Sequence, residues 1–434
     1  MRIHILGICG TFMGGLAQIL KESGHVISGS DIQFYPPMSV HLDDIGIEMI
    51  KGYSEETLPK ADLYVIGNAL SRGNECVEYI LNNNLPFKSG PEMLGNILKD
   101  RKVIAISGTH GKTTTSYMLV HIFANYGRDI GFLVGGVSSN FKTSASLGTD
   151  EVFVIEADEY DSAFFDKRSK FIHYSPHTVV INNIEFDHAD IFNDISDIKR
   201  QFHHLLKIIP SNGNVIYFKN DRNTQDVIEM GSWSHLIKID DETDINYELK
   251  EFSDSSKKYC LKDMPLIGDH NFKNYVSAIL AAKTDSIKVQ ESLTLLKSFD
   301  GVKRRLEFKG IYSNIKLYDD FAHHPTAISF ASKSIKDQYK SEKVLGLVEL
   351  GSNTMSDGYH GAKLLDSVKP LDDVIWLDHK EVLNKSSKIK VEKNVNDLID
   401  AVKKIIFDYD IILLMTNKDS HKIIQPLINY LEKK

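Results

Sequence analysis

The sequence predicts an α/β protein of three domains, on three observations. Its 434 residues correspond to about three domains of ordinary size. Short β-branched runs alternate with helical patterns along most of the chain, the mark of parallel sheets covered by helices. Two of those runs lead straight into a glycine-rich turn and a helix, at Gly7–Ala17 and at Gly108–Thr115, where backbone N–H groups can meet an anion. The expected boundaries are 1–100, 101–300 and 301–434.

Composition narrows the function classes. Hydrophobic residues make up 42% and charged residues 25%, enough for a sizeable core. A net charge of −8 and a pI near 6.1 argue against nucleic acid as the partner. The three cysteines, Cys9, Cys76 and Cys260, form no Cys-x-x-Cys pair, which fits a reducing compartment without disulfides or structural zinc. The first residues run directly into a strand without a signal peptide's apolar core. No run approaches the roughly 18 apolar residues of a membrane span. The expectation is a cytoplasmic protein without a membrane partner.

The elements follow in order. Arg2–Leu6 reads as a strand, and the glycine turn opens a helix that runs to about Ser23; Gly24 and His25 end it. Strands follow at Val26–Ser28, closed by Asp31, and at Asp62–Ile66. The glycines Gly7, Gly10, Gly14 and Gly15 do not keep the G-x-G-x-x-G spacing, so no NAD or FAD is implied, and close helix–strand packing is an equal reading. The second unit opens with strand Val103–Ser107, the loop Gly108–Thr115 and a helix over Ser116–Phe123, with further strands at Glu151–Ile155 and Thr178–Ile181. Residues 212–266 read as turn-rich and β-like, and Asn274–Ala282 as a helix. Asp300-Gly301 marks a break. Beyond it, strands are expected at Ile315–Tyr318, Val344–Val348, Val374–Leu377 and Ile411–Leu414.

The chemistry gathers at strand ends. In Gly108-Thr-His-Gly-Lys-Thr-Thr-Thr115 the backbone would cradle phosphate. Lys112 adds positive charge, and Thr113 offers a hydroxyl to a magnesium ion shared with the phosphates. A glycine turn that bound nothing would have no packing use for Lys-Thr-Thr. The strand ending at Ile155 leads into Glu156-Ala-Asp-Glu-Tyr-Asp161, whose crowded carboxylates repel one another unless a cation joins them; Glu156, nearest the strand, is the expected metal ligand. The next strand leads into Asn182-Asn-Ile-Glu-Phe-Asp-His-Ala-Asp190, where His188 is read as binding a second metal ion or the γ-phosphate. Asn271 and Asn274 lie three apart on a helix, and Asn271 could equally be its N-cap. Arg304 and Arg305 suit bidentate phosphate contact. Asp319-Asp-Phe-Ala-His-His-Pro325 reads as a polar loop after a strand.

In this order the motifs G-T-H-G-K-T-T, E-A-D-E-x-D, N-I-E-x-D-H-x-D, H-N-x-x-N, R-R-L-E and D-D-F-A-H-H-P resemble the Mur ligases, ATP-dependent amide-forming enzymes of bacterial peptidoglycan metabolism. The resemblance spans nearly the whole chain. It implies a Rossmann-like N-terminal domain for a UDP-sugar, a central P-loop ATPase-type domain, and a Rossmann-like C-terminal domain for the incoming amine. It assigns Gly108, Thr109, His110, Gly111, Lys112, Thr113 and Thr114 to ATP, with Thr113, Glu156 and His188 around Mg2+. Asn271 and Asn274 match positions contacting the adenine nucleotide, and Arg305 and Asp320 match residues that reach ATP on closure. Gly10, Thr11, Phe12 and Met13 are implied to line the UDP end, with Asp31 and Ser71 close by, and Ser139 and Asn140 to lie near the sugar. His323 is assigned to substrate as well.

His110 and E-A-D-E resemble the branch acting on UDP-N-acetylmuramate itself, which adds either L-alanine or an intact recycled peptide. The segments Ile8–Ala17, Gly29–Ser39 and Gly67–Asn74 resemble the peptide-adding members, whose amine is L-alanyl-γ-D-glutamyl-meso-diaminopimelate. Phe164–Tyr174 is also longer than expected for the alanine-adding enzyme. Two departures fall in the C-terminal part. Where the family has Pro-Arg or His-Arg before Ser-Asn-Thr, this chain has Leu350-Gly351, and a glycine-rich loop is replaced by Thr416-Asn-Lys-Asp-Ser-His421. The alternatives are therefore the alanine-adding ligase and a nucleotide-binding relative that has lost peptide ligation.

Overall fold

The computed structural model describes residues 1–189, 191–383 and 389–434. The chain divides into two compact units. The first comprises Met1–Phe186, Asp194–Pro265 and Lys273–Asp300; the second comprises Asp187–Asn193, Leu266–Phe272 and Gly301–Lys434.

The first unit carries two parallel sheets. One runs Glu48–Lys51, Val26–Asp31, Arg2–Leu6, Leu63–Ile66, Phe87–Ser89, every neighbouring pair parallel. The strand order reverses beside Arg2–Leu6, which places a crevice at that strand's C-terminal end. There Gly7 turns at φ +81°, and helix Thr11–Glu22 begins with Gly10 as its N-cap. Gly14 and Gly15 have a packing role. A Cβ on Gly14 would lie 2.2 Å from Met38 Sδ, and one on Gly15 would lie 3.1 Å from Ala145 Cβ. These two glycines let the helix lie flat against its neighbours, as the packing reading of the glycines expects.

The other sheet runs His235–Ile239, Asn214–Phe218, Thr178–Ile181, Lys102–Ser107, Val152–Glu156, Gly131–Leu133, Ala145–Ser146. All its pairs are parallel except the last, which is antiparallel. The central strands are continuous apolar runs because helices cover both faces. Helix Lys112–Asn125 is buried all round, from Thr113 to Phe123. The stretch read as β-like contains helix Arg222–Glu229 between two strands of this sheet. A small antiparallel sheet of Ile245–Asn246, Glu251–Asp254 and Lys257–Cys260 follows.

The second unit has one six-stranded sheet, ordered Glu307–Tyr312, Ile315–Asp320, Ile411–Met415, Val344–Glu349, Asp373–Leu377, Lys390–Glu392. The first pair is an antiparallel hairpin and the rest are parallel. Separate apolar clusters, around Leu347 and Leu414 and around Val348 and Leu413, form its core. One expectation is corrected here. Asp319 and Asp320 are the last residues of a strand, 2% and 7% exposed, and do not lie in a loop. The strand continues because their backbones pair with Leu414 and Met415, and their carboxylates find partners inside.

Away from both glycine turns, Asp285 joins Lys102 (2.5 Å) and Arg128, and Arg128 also holds Asp150 through Nε–Oδ2 at 2.8 Å. Asp285→Ala should lower stability by about 2 kcal/mol by stranding Lys102 and removing one of the two carboxylates that hold Arg128. Urea denaturation monitored by circular dichroism measures this, and a change near zero would show the cluster to be ornamental.

Candidate active site

Three neighbouring strands end side by side in the first unit. Ser107 pairs with Ile181 and Ile106 with Glu156, so the loops after these strands share one edge of the sheet. Two asparagines beyond Ile181 clamp the phosphate-type loop. Thr109 N donates to Asn183 O (3.0 Å) and His110 N to Asn183 Oδ1 (2.8 Å), while Asn183 Nδ2 donates back to His110 O (3.2 Å). Asn182 Nδ2 reaches Thr115 Oγ1 at 3.1 Å, and Ser277 Oγ donates to Asn182 Oδ1 at 3.0 Å. The approach is so close that side chains are excluded. A Cβ on Gly108 (φ +123°) would meet Asn183 O at 2.8 Å, and one on Gly111 (φ +81°) would meet Asn274 Oδ1 at 2.4 Å. Positive φ and crowding both demand glycine at these positions.

Lys112 begins the helix, its side chain 11% exposed. Its Nζ donates to Gly108 O at 2.7 Å and faces Glu159 at 3.4 Å and Asp158 at 3.8 Å. Burial works against its charge, but Glu159, Asp158 and Glu156 hold it above the ordinary lysine range. Thr113 Oγ1 donates to Glu156 Oε1 (2.8 Å), whose other oxygen accepts from Gly135 N (2.6 Å). Burial first, then Asp158, raises the Glu156 carboxyl above its usual range. Carboxylates thus outnumber the cation beside them, and the hard oxygens of Thr113 and Glu156 suit a divalent ion. His110 lies 3.6 Å from Glu185 Oε2, and Thr114 is buried in the first helical turn.

The expected metal trio divides. Thr113 and Glu156 are directly bonded in the first unit, whereas His188 belongs to the second. There it takes a left-handed backbone, φ +55°, next to Asp187. Burial opposes ionisation of Asp187, but His188, His323 and His324 bring its pKa down to about 2. His323 Nδ1 lies 2.7 Å from Phe321 O. Asp190, the last residue of that motif, lies outside the described residues. Asn274 packs on Gly111 in the first unit. Asn271 falls in the second, its Nδ2 donating to Ile267 O at 2.8 Å. The helix starts at Asp269, so Asn271 lies inside its first turn and the capping alternative is excluded.

Arg304 and Arg305 both lie over the Phe321 ring, at 5.0 and 5.1 Å. Arg304 Nε is 3.5 Å from Asp319 Oδ2, which also accepts from Ser420 Oγ at 2.7 Å. Asp320 accepts from Leu306 N and Ala322 N, each at 2.7 Å. Burial raises the Asp320 carboxyl to about 6 despite Arg305 and these donors.

At the N-terminal glycine turn, Asp31 accepts from Cys9 N (2.9 Å) and Ile32 N (2.8 Å). Thr11 opens the helix, Met13 is buried, and Ser71 and Ser139 are exposed. Asn140 is already committed: its side chain donates to Ser298 O (3.0 Å) and Asp300 Oδ2 (3.0 Å) and accepts from Asp300 N (2.8 Å). Phe12 leads to a residue the sequence did not mark, Lys170. This ammonium is buried under Tyr160 (4.0 Å to the ring) and Phe12 (4.9 Å), 3.4 Å from Asp158 Oδ2. Burial lowers its pKa, against the pull of Asp158. Asp158 therefore stands between two lysines, one oxygen toward each. The available signal was the extra length of Phe164–Tyr174, which closes a hairpin of Asp161–Ala163 and Asp166–Ser169.

The comparisons with known proteins agree with this geometry. Residues 2–102 match the Mur ligase family catalytic domain, residues 106–282 the Mur ligase middle domain, and residues 304–417 the Mur ligase glutamate ligase domain. The chain belongs to the Mur ligase family. Among Mur ligases, it is 42% identical to the UDP-N-acetylmuramate–L-alanyl-γ-D-glutamyl-meso-2,6-diaminoheptandioate ligase of Escherichia coli K12, across 100% of this chain and 99% of that one. A murein peptide ligase structure from Psychrobacter arcticus 273-4 superposes with a TM-score of 0.77 at 37% identity, covering 100% and 99% of the two chains. The UDP-N-acetylmuramate–L-alanine ligase of Clostridium botulinum Loch Maree is 34% identical over 75% of this chain and 72% of its own length.

Two outcomes follow from the buried charges. Asp320 has a folded pKa above its unfolded value, so its contribution is fully present below about pH 4 and is lost as pH rises through about 6. Wild-type melting temperature should therefore fall relative to Asp320→Asn between pH 4 and 7; parallel curves would contradict the assignment. Lys170→Met should cost about 3 kcal/mol by leaving Asp158 buried without that cation, and Lys170→Arg should recover part of it in the same denaturation assay.

Proposed function

We propose that this protein is an ATP-dependent ligase joining L-alanyl-γ-D-glutamyl-meso-diaminopimelate to UDP-N-acetylmuramate, with ADP and phosphate as co-products. The end-to-end identity to the E. coli ligase carries this reading, and the clamped loop with Lys112, Thr113 and Glu156 supplies its chemistry. Residues 1–100 take the UDP-sugar, through Gly10, Thr11, Phe12, Met13, Asp31 and Ser71, with Ser139 and Asn140 toward the sugar. Residues 101–300 take ATP, through Gly108 to Thr114 and Asn274. Residues 301–434 take the peptide, with His323 toward substrate and Arg305 and Asp320 toward ATP. By the family resemblance, Asn271 would contact the adenine nucleotide and His188 a metal ion or phosphate. ATP and a nucleotide sugar are cytoplasmic pools, so we place the reaction in the cytoplasm; among the described residues no helix is long and apolar enough to cross a membrane.

A carboxylate does not react with an amine, because oxide is a poor leaving group. Transfer of the terminal phosphoryl group of ATP to the lactyl carboxylate makes an acyl phosphate; the peptide's free amine attacks its carbonyl, and phosphate departs. Loop N–H groups and Lys112 stabilise charge developing on the transferred group. Thr113 and Glu156 would hold Mg2+, which neutralises phosphate charge when bound. No protein nucleophile is required.

Mass spectrometry of products from UDP-N-acetylmuramate, ATP and either the tripeptide or L-alanine tests the reading. The tripeptide adduct is expected. An L-alanine adduct alone would favour the alanine-adding enzyme, and nucleotide binding without any amide product would make the protein a non-ligating relative. Lys112→Ala should lower ADP release by at least 100-fold, about 3 kcal/mol of transition-state stabilisation, while calorimetry finds UDP-sugar binding nearly unchanged.

A further inference from the structure

The hairpin of Asp161–Ala163 and Asp166–Ser169 returns the chain to the acidic strand end. Lys170 N donates to Tyr160 O at 3.1 Å, and Ser169 Oγ donates to Glu159 O and lies 3.1 Å from Gln201 Oε1. Ser162 Oγ closes the hairpin from within, donating to Arg168 O at 2.8 Å. These bonds fix the Lys170 backbone beside the carboxylates before its side chain makes any contact. The side chain, 5% exposed, then runs beneath the Tyr160 and Phe12 rings to Asp158 Oδ2. Burial works against its charge; the carboxylate and the two ring faces work for it.

Lys112 faces the same acidic segment from the other side. Glu159, Asp158 and Glu156 all act on it. Yet its shortest contact is with the loop, at Gly108 O (2.7 Å), while Glu159 lies at 3.4 Å and Asp158 Oδ1 at 3.8 Å. In a buried site an unanswered carboxylate attracts an ammonium strongly. With no second cation, these carboxylates would draw Lys112 off the loop and toward the strand end. Lys170 answers Asp158 at its opposite oxygen, which weakens that pull.

We propose that Lys170 is a positioning residue for phosphoryl transfer: by neutralising Asp158 from the far side, it leaves Lys112 on the phosphate loop to meet the transferred group. The inference rests on the ligase reading above. Lys170 acts through Asp158 and Lys112, so its effect belongs to the transfer step and not to capture of the UDP-sugar.

Steady-state kinetics of ADP release test this in the wild type, Lys170→Met, Lys170→Gln and Lys170→Arg, and in Asp158→Asn with and without Lys170→Met. Lys170→Gln keeps a hydrogen-bond donor for Asp158 without the charge, and it serves if Lys170→Met does not fold. Both neutral variants should lower kcat about tenfold and leave the KM for UDP-N-acetylmuramate within about twofold of the wild type. Lys170→Arg should keep most of the activity. Lost packing alone would loosen Phe12, at the start of helix Thr11–Glu22, and raise that KM together with the loss in kcat. In the Asp158→Asn background Lys170→Met should change kcat by no more than about twofold, because the charge it answers is gone. Three results would each overturn the inference and leave the ligase reading standing: wild-type kcat in Lys170→Gln, a UDP-sugar KM that rises with the loss in kcat, or a full loss from Lys170→Met in the Asp158→Asn background. A wild type without tripeptide-dependent ADP release overturns that reading and the inference together.

Discussion

The backbone of residues 108–111 doubles back within hydrogen-bonding distance of Asn182 and Asn183, and the site depends on that contact. It holds loop atoms from two different strand ends in fixed register. Glycine at 108 and 111 follows from it, since any Cβ would enter Asn183 or Asn274. So does the direction of Lys112, whose ammonium turns back over Gly108 O at 2.7 Å. An anion entering this loop meets groups already oriented, and little reorganisation remains for the reaction itself.

Charge balance gives the second constraint. Glu156, Asp158 and Glu159 crowd one strand end, and Lys112 and Lys170 answer them from opposite sides of Asp158. Burial alone would neutralise some of these groups. The raised Glu156 carboxyl records that conflict, which a divalent cation would relieve. Lys170, under the aromatic rings of Phe12 and Tyr160, also ties this acidic segment to the N-terminal glycine turn within the same unit. The N-terminal glycine turn and the acidic strand end are thereby neighbours through one buried side chain.

Legibility in the sequence followed the range of the interactions. The strand–loop–helix at 102–125 could be read directly because its constraints are local: glycine conformations, a lysine, a helix start. The family motifs likewise ordered the three matched domains. Asn183 and Ser277 carried no local signal, because each acts on a residue far away in the chain. Gly14 and Gly15 suited a ligand turn or close packing equally in the sequence, and only the fold shows the neighbours, Met38 and Ala145, that require them to be small. Asp319 and Asp320 looked like loop residues because two adjacent carboxylates seem too polar for a strand. Backbone pairing with Leu414 and Met415, and bonds from Ser420, Leu306 and Ala322, make their burial tolerable.

The departures at 350–351 and 416–421 look independent along the chain, since about 65 residues separate them. In the fold they are neighbours. Strand Val344–Glu349 lies beside Ile411–Met415, so the loops leaving the two strands share a mouth. Thr416 bonds both Glu349 and Lys418 N. Asn417 and Lys418 fill the space beside Gly351, where a Cβ would lie 2.2 Å from Asn417 Oδ1 and 3.0 Å from Lys418 Cγ. The same hydroxyl that fixes the buried carboxylate sets the base of the lysine, so the exposed cation inherits its position from the core of the sheet. The two stretches that depart from the family pattern along the chain are thus packed against each other at one end of one sheet.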